Sequence, residues 1–346
     1  MNRAREEGKA GRQVQEEPLE PDLPICDAHY HFWERPSGRY MLEDFLGDVA
    51  GAGHHVVQTV YSECRSMYRT SGIEEMRPVG ETEGVCSIVE QLSSNSQLQP
   101  KVASGIVGYA DLRLGARAEP VLEAHLAAGK GRFRGIRNVS TWHNNPEVAL
   151  PAHNTKSLLA DSAFRRGFAL LKKFDLSFDA CLFFPQLPEL LDLARAFPET
   201  PIILDHAGGI LGIGPYAGKS DEVLRAWKKE IEGLASCPNV FVKFGGLGQP
   251  NAGFGWHKRP IPPDSIEISE AIAPYLSWCI EQFGAHRCMF ESNFPVDRVS
   301  YSYSTIWNAF KLVTEHFSPS ERSALFHDTA TEVYQLSAPR DQSLGA

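Results

Sequence analysis

From residue 24 onward, short apolar runs alternate with longer amphipathic stretches. The runs cover 25–31, 56–63, 102–110, 133–139, 178–184, 202–206, 240–244 and 288–293. They are rich in Val, Ile and Phe and are bounded by Gly, Pro and polar residues, which is how buried strands read. Between them 42–52, 79–92, 117–128, 162–174, 188–197, 221–235 and 269–283 read as helices, and 303–316 and 320–326 follow the last run. In 221–235 the period is plain, with Val223, Trp227, Ile231 and Leu234 three or four residues apart. Strand–helix units in this number predict an α/β fold, a (β/α)8 TIM barrel. An open doubly wound sheet shares the alternation. Neither a GxGxxG opening a helix after the first strand nor a Walker GxxxxGK[ST] is present, and the Gly-rich runs 208–214 and 245–248 read as sharp turns. The long connections, about 64–78, 140–160 and 247–268, all follow strands, which in a barrel puts long loops at its C-terminal face.

The flanks differ from the middle. Residues 1–22 hold almost no large apolar side chain and read as a disordered tail; the barrel is expected over 23–336, with a loose end at 337–346. With 42% hydrophobic and 22% charged residues, the chain has material for one large core. No uninterrupted apolar run reaches the length of a membrane span. A formal net charge of -9 argues against a nucleic-acid partner. The tail has no apolar centre and is acidic, so neither a secretory nor a mitochondrial signal is read, and a cytoplasmic location is expected. The 7 cysteines are odd in number and form no CxxC pair, which fits free thiols in a reducing compartment. Self-association is left open by the sequence.

A barrel places function at the C-terminal ends of its strands. The first strand ends with Asp27, His29 and His31 at alternate positions, hence on one face, with the imidazoles ~7 Å apart along the strand and able to share a metal or a substrate. Elsewhere an HxH pair is more often two ordinary histidines; its place at a strand end changes that reading. Glu63 ends the second strand and Arg65 follows; Arg137 lies in the fourth, His206 ends the sixth, Lys243 lies in the seventh, and Glu291 and Asn293 end the eighth, followed by Asp297. One such residue is easily a satisfied core group; one at most strand ends is a site. His143, His153 and His257 lie in the long loops, and His54 and His55 enter the second strand from its other end. Cys64 and Cys181 sit near strand ends without an obvious dedicated base.

The motifs DAHYHFW (27–33), SECRSMYR (62–69), FRGIRN (133–138), ILDHAGG (203–209), FVKFGGLG (241–248) and FESNFPVD (290–297) occur in that order. With them the chain resembles the amidohydrolase superfamily, in the amidohydrolase-related branch that includes 2-pyrone-4,6-dicarboxylate lactonase and L-fuconolactone hydrolase. The resemblance implies a distorted barrel, chemistry at the strand C-termini, and hydrolysis of a lactone or related bond. Two departures stand out. Metal-binding members commonly carry a histidine at the end of the fifth strand, where this chain has Cys181, and commonly end the eighth in Gly-Ser-Asp, where this chain has Glu291, Ser292 and Asn293. Asn cannot take a proton from water. The lactonase side of the branch is known for working without metal.

The expectation is therefore a lactonase acting on a small anionic substrate, a carboxylated lactone, with no cofactor required. His29, His31 and His206 polarise the carbonyl, Glu291, Glu63 or Asp297 is the base, and Arg65, Arg137, Lys243 and Asn293 bind substrate. The alternatives are a decarboxylase holding one divalent ion, such as zinc or manganese, on His29, His31 and His206, and an inactive barrel that binds a metabolite or a protein.

Overall fold

The structure is a computed structural model that describes residues 16–36, 38–92, 100–150 and 155–336. Its eight-stranded sheet pairs in parallel in chain order: β1 (Ile25–Tyr30), β2 (Val56–Ser62), β3 (Lys101–Gly108), β4 (Phe133–Val139), β5 (Ser177–Cys181), β6 (Ile202–Leu204), β7 (Val240–Phe244) and β8 (Cys288–Phe290). The barrel nearly closes. Past the end of β8 the chain meets β1 through Asn293 N to His29 O at 2.9 Å and His31 N to Phe294 O at 2.8 Å. A two-stranded hairpin, Trp33–Arg35 with Gly38–Tyr40, follows β1.

Two apolar layers hold the barrel. Inside, Cys26, Ala28, Val60, Val107, Ile203 and Met289 pack with Ala330 and Tyr334 from the end of the chain. Outside, helices such as Ser220–Ala235 bury one stripe against the strands: Val223, Trp227, Ile231 and Leu234. Helix Ser265–Phe283 begins four residues before the expected 269, because the Asp264 side chain caps Glu267 N. β6 and β8 are shorter than their apolar runs. His206, Ala207 and Asn293 take φ of 55°, 50° and 53°, a left-handed conformation that ends a strand and is costly for a side chain.

The N-terminal boundary also moves. Residues 16–20 fell in the expected loose tail, but Glu16, Leu19 and Glu20 are hydrogen-bonded to Ser265, Asn308 and Lys311. Polar backbone bonds, which leave no apolar pattern, hold this stretch. Residues 1–15 and 337–346, and His153, lie outside the described residues. Among the described residues no helix is long and apolar enough to cross a membrane.

Candidate functional site

β1 delivers two imidazoles. A register shift between Asp27 and Tyr30 turns the strand, so the expected common face of three residues is corrected to two. Asp27 turns to Ser292 N and Tyr303 OH, at 2.8 and 2.9 Å. His29 and His31 remain together, with Nε2 atoms 3.1 Å apart. The His31 Nδ1–H donates to Ser62 O at 2.8 Å, so its Nε2 carries a lone pair. Burial, with Lys243 and Arg137 nearby, holds His29 well below the ordinary imidazole pKa; burial and Arg137 push His31 down to about 3. Both rings are neutral at pH 7.

β6 and β8 deliver a second unit. Glu291 Oε1 accepts from His206 Nδ1 at 2.6 Å, and its Oε2 lies 3.0 Å from His29 Nδ1. Gly245 and Gly246, after β7, permit this approach. A Cβ on Gly245 would stand 2.3 Å from Glu291 Cγ, and one on Gly246, at φ 68°, would stand 2.4 Å from His206 Cγ. Burial alone disfavours an imidazolium at His206, but Glu291 and Cys181 outweigh it and raise its pKa well above the ordinary value. The unit resembles the carboxylate–imidazole half of a triad, in which the carboxylate orients the base and stabilises its charged form.

A charged stack supports both. Arg137 donates from Nε to Asp205 Oδ2 at 2.8 Å, from Nη1 to Glu63 O at 3.2 Å, and stands 3.4 Å from His206 Nε2 through Nη2. Lys243 Nζ donates to Asp179 Oδ2 at 2.6 Å and lies 3.4 Å from both Asp205 Oδ1 and His29 Nδ1. Tyr334 OH also donates to Asp179 Oδ2, at 2.7 Å. Although burial works against its charged form, Lys243 and Arg137 hold Asp205 down at about 2. Burial raises Asp179 to about 6 and also raises Glu63, against Lys243 and Arg137 in turn.

Of the residues read as catalytic, His29, His31, His206, Glu291 and Glu63 converge here. Asp297 is held otherwise: Asn293 Nδ2 donates to its Oδ1, and Tyr301 OH and Gly248 N to its Oδ2. Both oxygens are committed, so it orders the turn after β8. Asn293 faces Asp297 through that bond. Lys243 is fully buried and paired within the protein, and Arg137 spends its nitrogens internally. Arg65 is the exposed cation of the expected set, at φ 60°, with its guanidinium 5.8 Å from the Tyr109 ring centre. Sequence reasoning missed Asp179, Asp205, Gly245 and Gly246. The signal for Asp205 was in view, directly beside His206.

The donors fit a divalent ion. His29, His206 and Glu291 present ligand atoms within 4.8 Å of one another. The Nε2 atoms of His29 and His31 stand 3.1 Å apart, with the lone pair of His31 Nε2 directed into the site. Glu63 Oε2, Asp179 Oδ1, Asp205 Oδ1 and Glu291 Oε2 are buried with no hydrogen-bond partner among the described residues. Nitrogen and carboxylate donors suit zinc. The expectation that no metal is required rested on the residues missing from β5 and β8; Glu291 restores a carboxylate donor, so that expectation gains no support.

Comparison with known proteins follows the same lines. A family model described as amidohydrolase matches residues 26–336. The chain is 34% identical over 338 residues to y4mH, an uncharacterized protein of Sinorhizobium fredii, covering 91% of this chain and 99% of that one. It is 26% identical over 323 residues to an L-fucono-1,5-lactonase of Burkholderia multivorans, covering 92% and 98%. Among solved structures, an amidohydrolase from Burkholderia multivorans with bound zinc matches with a TM-score of 0.69 at 23% identity, over 90% of this chain and 99% of that one. The 5-carboxyvanillate decarboxylase of Sphingomonas paucimobilis matches at 0.56 and 11%, over 90% and 99%. At these identities the two structures support the fold.

Proposed function

This chain belongs to the amidohydrolase family and is a hydrolase acting on ester bonds, and from that premise we propose that it opens a small carboxylated lactone with a water activated by His206. The observation that carries this is the 2.6 Å bond between Glu291 and His206 Nδ1, which leaves Nε2 beside the Arg137 guanidinium. Base and positive charge are thus adjacent. The relatives named L-fucono-1,5-lactonase support the lactone bond, and the exposed Arg65 supports an anionic substrate.

In this reading Arg65 holds the substrate carboxylate at the mouth. In its neutral form, which its raised pKa confines to higher pH, His206 Nε2 takes a proton from water as the oxygen attacks the carbonyl carbon, and Glu291 stabilises the imidazolium that forms. Arg137 stabilises the tetrahedral oxyanion, aided by the low dielectric of the buried stack. As the ring C–O bond breaks, His206 returns the proton to the leaving oxygen. His29 and His31 would hold a divalent ion, which when bound would supply Lewis-acid polarisation of the carbonyl, while His206 keeps Nε2 for the proton. The same Nε2 pair, 3.1 Å apart, is what favours the second reading, a metal-dependent decarboxylase of the same family.

The test is hydrolysis of a panel of carboxylated and neutral lactones, with and without added zinc or manganese. Arg65→Ala should weaken carboxylated substrates by about 10–100-fold, the equivalent of about 1.5–3 kcal/mol, and spare their methyl esters. Equal losses on acid and ester would remove Arg65 from carboxylate recognition. Carbon dioxide release without lactone hydrolysis would replace the first reading by the second.

A further inference from the structure

We propose that Cys181 is a nucleophile of this site, forming a thioester with the opened lactone before water releases the product. The proposal rests on the lactonase reading and adds a covalent step to it. Cys181 ends β5, and its Sγ, a carboxylate oxygen of Asp205 and a ring nitrogen of His206 lie within 4.8 Å of one another. Glu291 occupies His206 Nδ1, so Nε2 is the nitrogen left to serve the sulfur. Thiol, imidazole and carboxylate therefore stand in the order nucleophile, base and orienter. The sequence offered Cys181 no dedicated base; the fold brings one from the next strand.

The other cysteines show why this one is singled out. Cys26, Cys86, Cys237, Cys279 and Cys288 are buried. Cys64 is partly exposed, but its sulfur faces acceptors, Phe32 O at 3.2 Å and Glu81 Oε1 at 3.5 Å, which keep the proton on the thiol. Cys181 is partly exposed, and its Sγ stands beside the His206 ring and close to the Arg137 guanidinium rather than against carbonyl or carboxylate acceptors alone. Asp205, the anion of the group, is already matched by Arg137 Nε at 2.8 Å and Lys243 Nζ at 3.4 Å.

The step balances without an added oxidant or reductant. Sγ bonds the lactone carbonyl carbon as its proton passes to His206 Nε2. The carbonyl–ring oxygen bond breaks, and His206 protonates the departing oxygen, leaving a hydroxyacyl thioester. Water then attacks the same carbon, giving its proton to His206; the C–S bond breaks and the proton returns to sulfur.

The experiment is acid quenching of wild type, Cys181→Ser and Cys181→Ala during turnover, with peptide mass spectrometry and metal analysis. The expected result is an adduct of the full lactone mass on the Cys181 peptide of wild type, and turnover lower by about 100-fold or more in both variants. Iodoacetamide should alkylate Cys181 ahead of the other six cysteines, and Glu291→Gln should slow that alkylation. Full turnover in Cys181→Ser, without an adduct in wild type, overturns the thiol and leaves the lactonase reading standing. Loss of stoichiometric zinc in Cys181→Ser, again without an adduct, makes Cys181 a ligand and also overturns the nucleophile. If wild type opens no lactone yet Cys181 alkylates first and in a Glu291-dependent way, the substrate class falls and the activated thiol remains.

Discussion

The protein buries two Lys–His pairs, and they are built from opposite logic. Away from the site, Lys311 Nζ donates to Leu19 O at 2.6 Å, Glu20 O at 2.9 Å and His54 Nδ1 at 3.0 Å, while His54 Nε2 donates to Ser304 O at 3.3 Å. Each polar atom has a partner, and the partners are neutral. In the site, Lys243 Nζ stands 3.4 Å from His29 Nδ1 among carboxylates, and Asp179, Asp205, Glu291 and Glu63 each keep one buried oxygen without a hydrogen bond among the described residues. Residue types and burial are the same in both places. The difference is unspent acceptor capacity, which a fold that only needed stability would have satisfied. Lys311 ties residues 19 and 20 to helix Tyr303–Val313; Lys243 keeps a charged stack in place for chemistry.

The largest expected effect tests that division. Lys243→Met strands Asp179 and Asp205 without their cation in a buried stack, at a cost of about 3–5 kcal/mol in stability, with activity lost. Lys311→Met leaves two carbonyls short of a donor and should cost about 1–3 kcal/mol while the folded variant keeps its turnover. Denaturant midpoints and turnover of the two variants, measured side by side, check this. Equal costs, or a fully active Lys243→Met, would erase the distinction between the pairs.

Next in size is the carboxylate that the second cluster lacks. Glu291→Gln keeps shape but removes the charge on His206 Nδ1, so turnover should fall by about 100-fold. Without the carboxylate, His206 loses the partner that raises its pKa, and the remaining pH–rate limb should move to lower pH. An unshifted limb would take His206 out of the role of base. Asn293→Asp in that background is not expected to rescue. Asn293 Nδ2 donates to Asp297 Oδ1 at 2.9 Å, and an aspartate there would set two acceptors face to face.

How much of this was legible in the sequence depends on the range of the cause. Strand and helix order follow from local apolar periodicity, and the placement of His29, His31, His206, Glu291 and Glu63 follows from strand ends. The roles of Lys243 and Asp297 do not. Whether a buried lysine meets substrate or Asp179 depends on contacts 64 residues apart. Gly245 and Gly246 read as a turn; that they clear space for Glu291 and His206 requires the neighbouring strands to be in place. His54 was read at the opposite end of its strand from the site, but its pairing with Lys311, 257 residues away, leaves no local trace.

The smallest effect belongs to the satisfied cluster and concerns pH. Burial, partly offset by Glu20, holds Lys311 at about 8, below the ordinary lysine value of 10.5. The folded chain therefore releases this proton more readily than the unfolded chain. Between those two values the unfolded state binds more protons, so this group's contribution to stability is present above 10.5 and is lost as pH falls through 8. The neutral amine keeps two N–H groups for the carbonyls of Leu19 and Glu20, so the anchor survives deprotonation. The melting-temperature difference between wild type and Lys311→Met should widen by about 1–2 °C as pH rises through that window. A difference that narrows instead would mean that the charge itself holds the N-terminal segment, and that this cluster, like the one around Lys243, depends on an ion.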